Sequence, residues 1–468
     1  MSSPAARVQR ATTPRLGSSS RLYRDATSLA SSSMLTALLG VAFWIVAART
    51  LPPSKLGVQT ALLSALTAPD IVIASGVGDA FTAILPAAPG VRAAILRRGY
   101  RLVLVMSVVA GVAAATISVT VLHQVRGSIT VALAVAIGTV VWALFTVQDP
   151  ALTSMGRAQW LPIENGLVST LKVAVFPALV ALALGLPMIV ATVLPGAAAV
   201  GVLLPKLRAM ARKSDAAVRT ATAMQSGAAA HVVRRQFDAL TLRTTASVAL
   251  TLGSLTFLPF VVTVLGGATQ GAVFALCLSV NQSLDFVGSA LGVSLVVHAS
   301  TQGADGARMA RQVLYRAALI VGAGGIALIA VAPLVLRVMN PAYLGLHGVE
   351  VIAILCAGSL LRTGFVTWSA LQRSRRHLRP VLLLNTAGAL TLYATLPTLC
   401  HAWGAVGAAI SLATAQTVLT IGAALHTVAA GRREPARLLD LTAITAGHAS
   451  AGSVSQAPVE PLPAAGGR

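Results

Sequence analysis

The chain alternates almost from end to end between long apolar runs and short segments that are basic or rich in turn-forming residues. A helix rising ~1.5 Å per residue needs about 20 residues to cross ~30 Å of hydrocarbon, and approximately twelve runs reach that length. The pattern predicts spans near 27 to 48, 56 to 85, 102 to 122, 129 to 148, 164 to 185 and 187 to 205. A second set follows near 244 to 264, 268 to 299, 317 to 336, 349 to 372, 380 to 400 and 404 to 428. Turns such as Gly185 to Pro187 and His401 to Gly404 are short enough to join neighbours as hairpin helices. The expected fold class is therefore an all-α polytopic membrane protein.

Composition agrees. Of 468 residues, 56% are hydrophobic and 10% charged, a balance that a soluble core cannot absorb without an aggregating apolar surface. The net charge of +22 raises the question of nucleic acid. The basic residues, however, are divided among short segments between apolar runs and are not interleaved with stacking aromatics, so no nucleic-acid partner is expected. Their distribution instead sets topology. With the N-terminus in the cytoplasm, roughly 29 basic residues fall on cytoplasmic segments and about 4 outside: Arg49, Lys55, Arg126 and Arg337. A missed or invented span would scramble this bias, which points to an even span count with both termini cytoplasmic. Arg7, Arg10, Arg15, Arg21 and Arg24 precede a run of full span length without a small-residue cleavage site, so the first helix is expected to remain as a span.

The expected organisation is a basic tail over 1–25, an N-lobe of six spans over 26–205, a basic linker over 206–243, a C-lobe of six spans over 244–430, and a disordered tail over 431–468. The linker carries Arg208, Arg212, Lys213, Arg219, Arg234 and Arg235 and is expected to lie partly as an amphipathic helix on anionic headgroups. A faint repeat supports the halves. Ala151, Leu152 and Arg157 stand about 219 residues before Ala370, Leu371 and Arg376, and Asn165, Pro177 and Leu179 about 220 before Asn385, Pro397 and Leu399. Halves with even span counts enter the membrane in the same sense, related by a pseudo-two-fold axis along its normal that leaves a central cavity.

A charge near the bilayer centre costs about 2.5 to 3.5 kcal/mol on insertion scales, so ionisable residues inside spans mark either a partner or a wet pathway. Arg362 lies roughly thirteen residues in from Val349, too deep for easy snorkelling. It reads equally as a forked ligand for phosphate oxygens or as half of an intramembrane ion pair. Lys172 is shallower. Asn281, Gln282 and Asp285 form a polar stripe in the eighth span that lines a cavity, binds a coupling cation or hydrogen-bonds a neighbouring helix. Asp70 follows the kinking Pro69, and Asp79 lies nine residues on, on the opposite face of a straight helix. Asp79, Asp285 and Asp70 are the candidate ion-coupling residues; Arg362, Lys172, Asn281 and Gln282 are the candidate substrate contacts. The eight histidines fall at span ends, in loops or in the tail, and Cys277, Cys356 and Cys400 inside apolar runs. No catalytic residue, metal site or cofactor is assigned, and no Gly-rich loop followed by Lys and Ser or Thr indicates ATP use.

Several segments carry a resemblance. Arg49, Leu51, Pro52, Leu56 and Gly57 resemble the first-to-second-span junction of the lipid-linked oligosaccharide (polysaccharide) flippase family, within the multidrug, oligosaccharidyl-lipid and polysaccharide exporter superfamily. Gly76 to Asp79 resembles its second helix. Asn340, Pro341 and Tyr343, the run from Ile352 to Arg362, then Ala370, Leu371 and Arg376 resemble its tenth-helix region, and Trp403 to Ala409 its entry to the twelfth. The resemblance covers roughly 25 to 430 and its motifs mark fold more than substrate. It implies two six-helix lobes, alternating access, a lipid-linked glycan as substrate, membrane lipids and polysaccharide assembly enzymes as partners, and a bacterial inner (plasma) membrane location. The alternatives are an antiporter of small cations, a scaffold, and a membrane glycosyltransferase or polymerase. The last fits poorly, because the first external loop, Arg49 to Lys55, carries no carboxylate and the other external loops are short.

Overall fold

The computed structural model describes the backbone at residues 17–221, 227–301, 306–374 and 377–451. Arg7, Arg10, Arg15, Arg376 and residues 452–468 lie outside the described residues. All regular elements among the described residues are helical, and twelve long helices follow one another in two sets of six. The first lobe comprises α1 (Gly17–Thr50), α2 (Pro53–Ile84), α3 (Arg92–Val121), α4 (Ile129–Ser154), α5 (Leu161–Ala181) and α6 (Pro187–Ala221). In the second lobe, α7 begins as Gly227–Val248, passes a π turn at Ala249–Gly253 and continues as Ser254–Gly266. Then come α8 (Ala268–Thr301), α9 (Gly306–Met339), a short helix Ala342–Gly345 and α10 (Gly348–Ser374). The last helical stretch, Leu378–Ala451, breaks at Gly404, with φ 56° and ψ −128°, into α11 (378–403) and α12 (405–451). That backbone conformation suits a residue without a Cβ, so the glycine places the turn.

Lipid-facing and interior surfaces differ as a bilayer solvent requires. Val109, Ile129 and Leu390 are each about two-thirds exposed, while alanines such as Ala47, Ala61, Ala272, Ala405 and Ala408 are fully buried. Between helices in lipid, close packing replaces the hydrophobic driving force, and small residues supply it.

Two departures from the expected boundaries share one cause. The basic segment 206–243 is mostly continuous with its neighbours, because α6 runs on to Ala221 and α7 opens at Gly227. Residues beyond Gly431 likewise continue as helix to Ala451. Both segments are rich in Ala, Leu and Arg, which extend a helix readily once a span has nucleated it.

The two lobes repeat each other's internal joints. Near the start of α2, Gln59 donates Nε2 to the Gly185 carbonyl at 2.8 Å and accepts from the Met188 N–H, holding the α5–α6 turn. Near the start of α8, Gln270 accepts from the Ala405 N–H at 2.9 Å and holds the α11–α12 turn. Deeper, Asp70 on α2 accepts from Thr146 on α4, 76 residues away, and Asp285 on α8 accepts from Arg362 on α10, 77 residues away. The same helix pair, at nearly the same separation, is tied in each half, as a pseudo-two-fold requires.

Candidate functional site

The two ends of the bundle are built differently. At the end carrying the α1–α2, α5–α6, α7–α8 and α11–α12 turns, both lobes contribute to one apolar core. Phe43, Leu51 and Leu56, with Phe176 and Met188, pack in a common cluster with Leu258, Phe274, Leu336, Tyr343, Ile352 and Leu396. Polar bonds cross the same seam. Arg49 Nε donates to the Val338 carbonyl at 2.6 Å, Asn340 Nδ2 to the Ala48 carbonyl at 3.5 Å, and Thr263 Oγ1 to the Gly57 carbonyl at 3.5 Å. Gly57 itself meets the α8 backbone so closely that an added Cβ would lie 1.6 Å from the Ala268 carbonyl oxygen. We call this the clasp end.

At the opposite, arginine-rich end the cores formed by the described residues are separate. Phe81, Leu96, Tyr100, Leu152 and Leu207 form one cluster in the first lobe, whereas Phe365, Trp368, Val381 and Ala423 form another in the second. Helix α7 crosses between the two. Its first part sides with the first lobe, with Phe237 in that lobe's core and Thr244 Oγ1 bonded to the Gly76 carbonyl at 3.0 Å. After the π turn, Leu258 and Val262 join the shared core, and the Ser254 carbonyl accepts from Tyr393 of α11 at 2.9 Å. A π turn loosens the regular helical ladder and is a common point of functional bending.

The mouth of the arginine-rich end is cationic. Arg97, Arg98 and Arg101 of α3 and Arg234 of α7 line one open pocket, with Arg98 paired to Asp238. Arg311 and Arg316 of α9 line another. Each patch is built on the third helix of its lobe, with Arg234 of α7 joining the first.

The deep ionisable residues are distributed as follows. Arg362 and Asp285 form an ion pair at 2.8 Å between α10 and α8, both side chains largely buried. Asn281, fully in the interior, donates to Ser359 Oγ at 2.8 Å and so ties the same two helices. Gln282 is half-buried beside it. Lys172 places its ammonium 4.1 Å from the centre of the ring of Phe43, a member of the shared core, and none of the ion pairs among the described residues includes it. Asp70 is buried; one carboxylate oxygen accepts from Thr146 Oγ1 at 3.3 Å and the other has no hydrogen-bond partner. Asp79 lies on the exposed side of α2. The structure thus joins Arg362, Asp285 and Asn281 at one helix interface, and keeps Lys172, Asp70 and Asp79 apart from them.

Another polar group, in the first lobe, is not apparent from the sequence. Asp149 near the end of α4 accepts from Asn165 Nδ2 at 3.0 Å, and the same amide reaches Ser32 Oγ on α1 at 3.3 Å. Glu164 is buried beside them with both carboxylate oxygens unpartnered, as is the Tyr100 hydroxyl. These residues stand at the margins of apolar runs, where a carboxylate normally reads as a solvated flank. The available signal was the recurrence of two carboxylates across one short turn, each beside an amide: Gln148 with Asp149, Glu164 with Asn165.

No protein-family model and no curated protein sequence matches the chain. Solved structures do match in fold. A structure described as lipid II flippase MurJ in an inward closed conformation superposes with TM-score 0.66 at 10% identity, covering 85% of this chain and 86% of that one. An inward-facing multidrug resistance MATE family transporter of the MOP superfamily superposes with TM-score 0.64 at 13% identity, over 88% and 99% of the two chains. The outward-facing conformation of a MATE transporter gives 0.57 at 15% identity, over 87% and 96%. The chain is a multi-pass helical protein with the two-lobed fold of these MOP-superfamily transporter structures.

Proposed function

We propose that this chain is a flippase that carries a lipid-linked oligosaccharide, on an isoprenoid diphosphate, from the cytoplasmic to the outer leaflet of a bacterial plasma membrane. The observation that carries this reading is the difference between the two ends: among the described residues, one shared core at the clasp and two separate cores at the arginine-rich end. A packing closed on one side and parted on the other is one of the two states that alternating access needs. The arginine-rich end is then the cytoplasmic one by the distribution of basic residues, and the better superposition on an inward-facing transporter supports the same orientation.

Charge argues for an anionic headgroup. Guanidinium pairs bind phosphate oxygens in a fork, and the Arg97, Arg98, Arg101 and Arg234 pocket offers such a first contact at the mouth. Further in, the Lys172 ammonium lies over an aromatic ring with no carboxylate bonded to it, a position that favours a diphosphate. Arg362 joins only if the anion displaces Asp285. The polar glycan passes between the lobes while the isoprenoid tail stays in lipid, so polysaccharide assembly enzymes on either face are the natural partners.

A second reading, an antiporter of small cations, draws support from the buried, half-satisfied carboxylate of Asp70. Asp79 and Asp285 take the same ion-coupling role in it. Leaflet translocation of a fluorescent isoprenoid-diphosphate glycan by the purified chain in vesicles separates the two readings. The flippase reading expects inhibition by a soluble diphosphate and not by a cationic dye. It also expects Lys172→Ala to slow translocation about tenfold, the loss of one contact worth about 1.4 kcal/mol. Inhibition by the dye alone, with Lys172→Ala silent, would reverse the assignment.

A further inference from the structure

Helix α7 opens the second lobe, yet its first part is docked on the first. Deeper in the bundle it is anchored at Gly76 of α2. Thr244 Oγ1 donates to the Gly76 carbonyl at 3.0 Å, and a Cβ added to Gly76 would lie 1.9 Å from Thr245 Oγ1. Two turns nearer the mouth, Phe237 is fully buried beside Phe81, and its ring tip stands 3.2 Å from where a Cβ on Gly99 of α3 would be. The residues next to Gly99 and Phe237, Arg98 and Asp238, complete the contact. Arg98 Nε donates to Asp238 Oδ1 at 2.7 Å and Nη2 donates to Oδ2, a bidentate fork between α3 and α7.

The charge around that fork is one-sided. Arg97 and Arg101 of α3 and Arg234 of α7 line the same open pocket, about 230 Å³ in volume, with Ala94. No ion pair among the described residues includes any of these three arginines. Arg97 and Arg101 stand one helical turn apart, a like-charge spacing that works against the helix carrying it. Four guanidinium groups therefore share one carboxylate. The pair itself retains 44% and 37% exposure, and a pair so open to water is screened and readily exchanged. A phosphate group matches the same guanidinium fork and brings more charge than a carboxylate. It competes for Arg98 with three further cations in its favour, and it repels Asp238 as it arrives.

We propose that the Arg98–Asp238 fork is a latch on an entrance between α3 and α7, and that a diphosphate headgroup opens it by replacing Asp238 on Arg98. Asp238 holds the place of the headgroup while none is bound. A zwitterionic phospholipid, whose phosphate is matched by its own ammonium, gains less from four cations and leaves the latch shut. Loss of the fork removes the polar half of the contact at the level of Phe237, while the Thr244 anchor remains, so the end of α7 swings away from α3 and its deeper seat stays. The anion to be carried thus opens its own way in, and no covalent bond changes. The inference deepens the transport reading: the isoprenoid tail of the ligand rests on that reading, whereas the latch rests on the fork and the arginines around it.

The test uses the full chain in nanodiscs of zwitterionic lipid at constant ionic strength. The three buried cysteines are replaced, and spin labels are placed at the exposed positions Val105 of α3 and Gln236 of α7. Soluble pyrophosphate should lengthen the distance between the labels, and farnesyl diphosphate in the disc should do so at lower concentration. Asp238→Asn should show the long distance with no anion added. A second pair, Val105 with Leu242, is nearer the Thr244 anchor and should move less. In calorimetry, Asp238→Asn should bind pyrophosphate about tenfold tighter, because loss of the internal competitor and gain of the ligand are linked. Arg97→Gln/Arg101→Gln should bind it about tenfold more weakly. Binding without a change of distance, an affinity indifferent to Asp238→Asn, or an equal opening by phosphatidylglycerol in the disc would each overturn the proposal. None of these measurements involves a glycan. A latch that opens in a chain that moves no glycan strikes the transport reading alone, and glycan transport past a latch that ignores diphosphate strikes this inference alone.

Discussion

Gly57→Leu is expected to force the clasp open. An added Cβ at this position would lie 1.6 Å from the Ala268 oxygen and 2.5 Å from its carbonyl carbon, both backbone atoms that cannot rotate away. The clash lies between lobes, so it is relieved by parting α2 from α8 and not by repacking inside either lobe. Overpacked interiors cost typically 1 to 3 kcal/mol, and here that strain falls on one of two conformations. A bias of about 2.7 kcal/mol shifts such an equilibrium roughly a hundredfold. Spin labels at the exposed Ser54 and Pro341 should therefore report a longer distance in Gly57→Leu, while the helix content stays that of the parent chain. An unchanged distance at parental thermal stability would show that Gly57 does not hold the seam.

The second large effect concerns the Arg362–Asp285 pair. Its side chains retain 23% and 15% exposure and bond at 2.8 Å, between helices that Asn281 and Ser359 also join. Removing one partner of a buried pair leaves an uncompensated charge and costs about 3 to 5 kcal/mol, whereas replacing both with apolar residues of similar volume is often neutral. Asp285→Ala should accordingly lower the unfolding temperature in detergent sharply, and Asp285→Leu/Arg362→Leu should recover most of it. If the double variant is stable yet no longer translocates the glycan, Arg362 serves the substrate as well as the fold. If Asp285→Ala costs nothing, the pair contributes no stability.

Much of this architecture is legible in the order of residues. The long helices follow from run length alone, and Gly404, Gly185 and Pro187 mark real turns because a helix cannot continue through them without penalty. The repeat was faint as sequence but is firmer as structure, since Gln59 and Gln270, and Asp70 and Asp285, occupy matching joints although their neighbours differ. The residues that carried the family resemblance, Arg49, Leu51, Leu56, Gly57, Asn340 and Tyr343, turn out to build the clasp. Their recurrence at span ends has a packing cause.

What stayed hidden depends on contacts between distant elements. Run length cannot tell whether Arg362 faces water or a carboxylate; only the approach of α8 to α10 decides it, and Asp285 lies 77 residues away. The crossing of α7 from one lobe to the other was equally invisible, because its apolar pattern does not change where its neighbours do. Asp149 and Glu164 were overlooked because a carboxylate at the margin of an apolar run has the same local sequence whether it points into solvent or into the bundle. Their surroundings are set by distant elements, α1 among them, whose Ser32 shares the Asn165 amide with Asp149.

The central claim is that transport requires the clasp to open while the arginine-rich end closes. A reducible cross-link tests it directly, placed between Arg49→Cys and Val338→Cys in a chain whose buried Cys277, Cys356 and Cys400 have been replaced. The account predicts that translocation of the isoprenoid-diphosphate glycan stops when the link is formed and returns when it is reduced; translocation that continues unchanged across a linked clasp would contradict it.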